Sequence, residues 1–84
     1  MEKSICTKEY ALFLSHLRSA RKAAGLTQAQ IAQSLQQTQS FVSKCERGER
    51  RIDIVELRAF CQAMGISLSD FIQHLEITLQ EIER

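Results

Sequence analysis

Proline is absent from this chain of 84 residues, glycine occurs three times, and aromatic residues make up 6%. With neither proline nor a glycine cluster, there is no linker to divide the chain and no glycine-rich loop to cradle a phosphate. Cysteine is scarce too. Cys6, Cys45 and Cys61 are odd in number, widely spaced and without a CxxC pair, which rules out a disulfide framework or a zinc-finger spacing. His16 and His74 have no partner ligands at metal spacing, so no metal site and no cofactor are expected. No apolar run approaches the ~20 residues that a membrane helix needs. Glu2, Lys3, Lys8 and Glu9 interrupt any signal-peptide core, and the expected location is the cytoplasm, with no membrane partner. Ser/His/Asp and Cys/His constellations are missing as well, so an enzyme is not expected.

What remains is a chain with 44% hydrophobic and 25% charged residues, the balance of one ordinary globular domain spanning residues 1–84. No stretch alternates as a strand does, and the apolar residues recur every three or four positions. Residues 1–6 show no periodicity and are expected to form a loose arm. A first helix runs from about Thr7 through Tyr10, Leu14, Leu17, Arg21 and Ala24, with Phe13 and Ala20 widening its stripe. Gly25 is its natural stop, because glycine tolerates the left-handed conformation that ends helices. Thr27 and Gln30 form a capping box for a second helix with Ile31, Ala32 and Leu35 inward. Thr38 is the N-cap of a third, with Val42 and Cys45 inward. Asp53 and Glu56 open a fourth, with Ile54, Leu57, Phe60, Cys61 and Met64 inward and Gly65 as its stop. Ser67 and Asp70 open the last, over 68–84, carrying Leu68, Phe71, Ile72, Leu75, Leu79 and Ile82. The expected fold is a compact all-α domain of five helices.

Two short capped helices separated by a few residues make Thr27–Gly48 the informative stretch. The outward face of the third helix is Gln39, Ser40, Ser43 and Lys44. An α-helix fits the major groove of DNA, where Gln pairs with adenine, Lys with guanine and Ser with either. The segment TQAQIAQSLQQTQSFVSKCERG resembles the helix-turn-helix of the lambda-repressor/Cro-like DNA-binding family, with helices 2 and 3 as the motif. The net charge of +1 conceals a polarity consistent with this. Residues 1–51 hold nine Lys/Arg against four Asp/Glu, whereas 52–84 hold two against six. A basic end carrying the motif and an acidic opposite end suit a domain that docks on DNA.

The resemblance carries specific roles onto this chain. It implies base reading by Gln39, Ser40, Ser43 and Lys44, and a phosphate contact by Gln28 at the start of helix 2, where free N–H groups also favour an anion. Thr38 at the next helix start, and Arg50 and Arg51 in the following loop, are the other phosphate candidates. Arg21 lies on an inward stripe, and a buried cation is costly unless paired. The family pairs an arginine late in helix 1 with a glutamate ending helix 3; LRSARKAAGLTQ and SKCERG place Arg21 and Glu46 at those positions, as a structural ion pair. The turn departs from the family pattern, with Gln36-Gln37 where a glycine and an apolar residue are usual. Gln36 must therefore take a positive φ or the turn must be modified.

The last helix has more apolar residues than a core of this size needs, and Leu75, Leu79 and Ile82 are the expected dimer interface. The implied function is a sequence-specific transcriptional regulator: a prokaryotic or phage repressor, a homodimer on palindromic double-stranded operator DNA. A restriction–modification controller would be one sub-case. The alternative, from another class, is an antitoxin or other protein-binding module that neutralises a protein partner and represses its own operon.

Overall fold

The structure, a computed structural model, describes residues 7–83. The arm expected over 1–6, and Cys6 with it, lies outside the described residues. Among these residues there are five helices and no strand: α1 (Lys8–Ala23), α2 (Gln28–Leu35), α3 (Gln39–Glu46), α4 (Ile54–Met64) and α5 (Leu68–Ile82). Each begins on a residue whose side chain accepts a backbone N–H of the first turn. Thr7 takes the Tyr10 N–H, Thr38 that of Phe41 and Ser67 that of Asp70. At α2 and α4 the bond is reciprocated, so that Thr27/Gln30 and Asp53/Glu56 are complete capping boxes. Five such caps satisfy donors that a helix start would otherwise leave open.

The helix ends share one device. After α1, α3 and α4 the chain reverses through a glycine of positive φ: Gly25, Gly48 and Gly65. After α2 the same position is taken by Gln36, at φ 57°. Its N–H donates to Gln33 O and the Gln37 N–H to Ala32 O, the paired bonds of a Schellman ending. Gly65 is bonded alike, its N–H reaching Gln62 O and that of Ile66 reaching Cys61 O. Of the two conformations open to Gln36, the turn adopts the left-handed one.

α2 and α3 pack on each other, α2 also meets α4, and α5 closes the bundle against α1 and α4. Their inward stripes meet in one core of Leu17, Ile31, Ala32, Val42, Cys45, Leu57, Phe60, Cys61, Met64 and Phe71. Burial pushes the Cys45 and Cys61 thiols up from their ordinary pKa, and both behave as small hydrophobes. Three expected inward positions prove otherwise. Ile54 is 60% exposed, because it opens α4 one turn before the stripe of Leu57, Cys61 and Met64 reaches the core. Ile72 is exposed on the flank of α5, and Ala24, just beyond the last turn of α1, faces solvent.

Candidate nucleic-acid interface

The position of α3 is fixed by a polar cluster at its C-terminal end. Glu46 is a charged residue held at 2% exposure, a placement that requires full pairing. Arg21, reaching in from α1, donates from Nε to Oε2 at 2.7 Å and from Nη2 to Oε1 at 3.1 Å. Gln28 of α2 adds a bond from Nε2 to Oε1 at 2.9 Å. The remaining Arg21 nitrogen, Nη1, donates to Leu26 O in the α1–α2 turn. Arg18, one turn earlier on α1, donates from Nη1 to the main-chain oxygen of Glu46 at 2.7 Å, where helix carbonyls have no intrahelical partner. Two arginines and a glutamine thus tie α1, α2 and α3 together. The spacing of three between Arg18 and Arg21 places both on one face of α1.

On the other side of α3 the side chains are free. Gln39, Ser40 and Lys44 are exposed and make no side-chain hydrogen bond to the described residues. Ser43 differs, being half-buried, and its Oγ accepts from Arg47 Nη1. Arg47 in turn grips Glu49, Nε to Oε2 at 2.8 Å and Nη2 to Oε1 at 3.2 Å. That guanidinium holds the Glu49 carboxyl below the usual carboxylate range. Acid and base thereby offset each other at the foot of α3.

The residues named as phosphate candidates fall into two groups. Gln28 and Thr38 stand at the starts of α2 and α3. Thr38 Oγ1 is occupied as an acceptor by the Phe41 N–H, which leaves its hydroxyl proton to donate. Gln28 keeps one amide N–H and its carbonyl oxygen after serving Glu46. Arg50 and Arg51 lie in the α3–α4 loop, each over an aromatic ring. The Arg50 guanidinium sits 4.8 Å from the Phe41 centroid and is bidentate with Glu56, Nη1 to Oε1 at 3.0 Å and Nη2 to Oε2 at 2.9 Å. Arg51 sits 4.7 Å from the centroid of Tyr10. Neither ring was anticipated as an arginine platform.

On α5 the residues expected at a dimer interface are not equivalent. Leu75 packs against the core, whereas Leu79 and Ile82 are half-buried at its edge. Ile72 and Ile77 of the same helix are exposed, and so, on α4, are Ile54 and the 73% exposed Val55. His16 Nε2 and Thr78 Oγ1, 2.9 Å apart, tie α5 to α1. An open groove of about 550 Å³ between these helices is lined by His16, Ser19, Ala20, Phe71 and His74 and contains none of the DNA-contact candidates. Among the described residues no group of three or more His, Cys, Asp or Glu is placed to hold a metal, and no helix is long and apolar enough to cross a membrane.

Residues 13–75 match the family model described as a helix-turn-helix domain. No curated protein sequence matches the chain. Among solved structures, an XRE-family like protein from Pseudomonas syringae pv. tomato str. DC3000 is 41% identical, covering 83% of this chain and 85% of that one with a TM-score of 0.79. The wild-type restriction–modification controller protein C.Esp1396I is 18% identical over 90% of this chain and 99% of that one, with a TM-score of 0.80. The clp gene regulator ClgR from C. glutamicum is 23% identical over 87% and 95%, with a TM-score of 0.74. The last two likenesses are of fold alone.

Proposed function

This chain belongs to the XRE-like, lambda-repressor/Cro-like family of helix-turn-helix DNA-binding regulators, and from that footing we propose that it is a cytoplasmic prokaryotic or phage repressor, acting as a homodimer that reads double-stranded operator DNA with α3. The observation that carries the reading is the contrast between the two sides of α3. Its inner end is fixed by Arg21, Gln28 and Arg18 on Glu46. On its outer face Gln39, Ser40 and Lys44 are exposed with their donors and acceptors open. A helix held in place from behind, with unspent hydrogen-bonding groups in front, meets the requirement for base recognition in the major groove.

In this reading Gln39 and Lys44 are the principal base readers. Ser40 and Ser43 contribute shorter contacts, and Ser43 does so while its oxygen is shared with Arg47. Gln28, Thr38, Arg50 and Arg51 bind phosphates and set the register of α3 on the duplex. The homodimer forms through the outer edge of α5, by Leu79 and Ile82 with the adjoining Ile72; Leu75, drawn into the core, adds less. Two copies related by a two-fold axis present their α3 helices to half-sites one turn of DNA apart, ~34 Å, and the operator is palindromic.

Selection of bound duplexes from a random pool, at a stated salt concentration, tests the proposal. The expected product is a two-fold repeated half-site with a fixed spacing of about one helical turn. A pool that emerges without enrichment would overturn sequence-specific binding. It would favour the second reading, an antitoxin-like module bound to a protein partner, which the exposed Ile54, Val55, Ile72 and Ile77 support. Copurification of a second small protein would point the same way.

A further inference from the structure

α3 is capped at its end by Arg47, and the chain then reverses through Gly48 at φ 80°. The Gly48 N–H donates to Cys45 O and the Glu49 N–H to Lys44 O, so the turn brings Glu49 back alongside the last turn of the helix. There Arg47 donates to its carboxylate along one edge of the guanidinium, Nε to Oε2 at 2.8 Å and Nη2 to Oε1 at 3.2 Å. The third nitrogen, Nη1, donates to Ser43 Oγ, one turn back on α3. Ser40, Ser43, Lys44 and Arg47 follow at i, i+3, i+4 and i+7. Arg47 therefore continues the outward stripe of α3.

The Nε–Nη2 edge of a guanidinium pairs with a carboxylate or a phosphate in the same two-bond geometry. Glu49 thus occupies the edge of Arg47 that a DNA phosphate would take, while Ser43 holds the nitrogen beside it. The pair is easily exchanged, because both side chains are 54% exposed and an ion pair in that setting is weak. Recognition helices of this kind contact base edges with their N-terminal residues. That leaves the C-terminal end of α3, where Arg47 stands, nearer the DNA backbone. The Glu49 carboxylate also lies in the field of Lys44, so its charge bears on the reading face as well as on Arg47.

We propose that Arg47 is a further phosphate-binding residue of the DNA interface and that Glu49 is its built-in competitor. On docking, the Nε–Nη2 edge passes from the Glu49 carboxylate to a phosphate beside the groove that α3 enters. The inference rests on the reading above, that α3 enters the major groove. One ion pair is given up as another is made, so the contact adds little net affinity. A cation taken up by the released Glu49 offsets the one that leaves the phosphate. Glu49 thereby moderates both affinity and salt dependence, on any DNA sequence.

Binding of the full chain to the selected operator and to random duplex, over a range of salt, tests this. Glu49→Gln should tighten both by about 2–5-fold and steepen the salt slope by up to about 0.9, one phosphate's worth. Glu81→Gln, the same charge change at an exposed position of α5, should do neither. In the Glu49→Gln background, Arg47→Ala should remove the gain and return the slope to about its wild-type value. The preference for operator over random duplex should stay as in the wild type throughout, since a phosphate contact carries no sequence information. A Glu49→Gln chain that binds no tighter than the wild type would overturn the proposal. So would a gain that survives Arg47→Ala, which would make it an effect of net charge alone. A loss confined to the operator in Arg47→Ala would make Arg47 a base reader and overturn the phosphate assignment. A wild-type chain that binds neither duplex would instead overturn the reading of α3 itself.

Discussion

The inner end of α3 and the outer half of α5 both lie at the edge of a small core, and they are held there in opposite ways. α3 is held by directional polar bonds: a buried carboxylate with three donors from two other helices, and a fourth bond to the adjacent main-chain oxygen. α5 is held by apolar contact through Phe71, Leu68 and Leu75, with one side-chain hydrogen bond to another helix among the described residues, His16–Thr78. Beyond it, Leu79 and Ile82 are only half-covered. Directional bonds fix orientation, which a helix presenting side chains to a groove requires. Apolar packing fixes proximity and leaves area over, which suits the dimer edge proposed for α5.

The contrast between the two helices is largest at the buried pair. Arg21→Ala or Glu46→Ala strands a buried charge and should lower stability by ~3–5 kcal/mol. Thr78→Ala, which removes the tie on α5, should cost about 0.5–1.5 kcal/mol. Denaturant unfolding of the three variants checks the ratio, and similar losses at both places would erase the distinction. At the α5 edge the expected effect is on assembly. Leu79→Asp should yield a folded monomer by sedimentation, with operator affinity lowered by about tenfold or more, or ~1.4 kcal/mol. A variant that stays dimeric would remove α5 from the interface.

A smaller effect belongs to the turn that sets the angle between α2 and α3. A non-glycine residue in the left-handed region costs ~1–2 kcal/mol, against ~0.5–1 kcal/mol for the added freedom of glycine in the unfolded chain. Gln36→Gly should therefore stabilise by about 0.5 kcal/mol. Gly65→Ala, where a Cβ would meet nothing within 4 Å at φ 74°, should destabilise through the backbone alone. The smallest effect is on pH dependence. The Arg50 side chain, and then the Asp53 N–H, hold the Glu56 carboxyl below its usual range. Its contribution is complete above the unfolded carboxylate pKa and is lost as pH falls through the lower folded value. Melting temperature should fall less on acidification in Glu56→Gln than in the wild type; parallel curves would show that the loop tie adds no stability.

Local rules made much of this legible. Threonine, aspartate and serine caps marked the helix starts, and Gly25 and Gly65 marked two of the reversals, because capping and left-handed turns depend on residues close in sequence; the third glycine reversal, at Gly48, was not read as one. Gln36 was legible as a choice between two conformations, since spacing alone does not say which the turn will tolerate. Periodicity misplaced Ile54, which shares a stripe with Leu57 and Cys61 but lies where the core has already ended. Pairings across the chain left no local mark. The Arg18 bond to Glu46 O and the rings of Tyr10 and Phe41 under Arg51 and Arg50 depend on how α1 and α3 meet the loop. Gln28 shows the same limit, because its helix-start position signalled an anion site while its first partner is the Glu46 carboxylate.

The role proposed for α3 is base reading by side chains left free on a rigid mount. Gln39→Ala tests it most directly, by binding to the selected operator and to random duplex at one salt concentration. The mutation should weaken operator binding by ~1–3 kcal/mol and leave random-duplex binding nearly unchanged. Equal weakening on both would make Gln39 a backbone contact and contradict base reading from this face of α3.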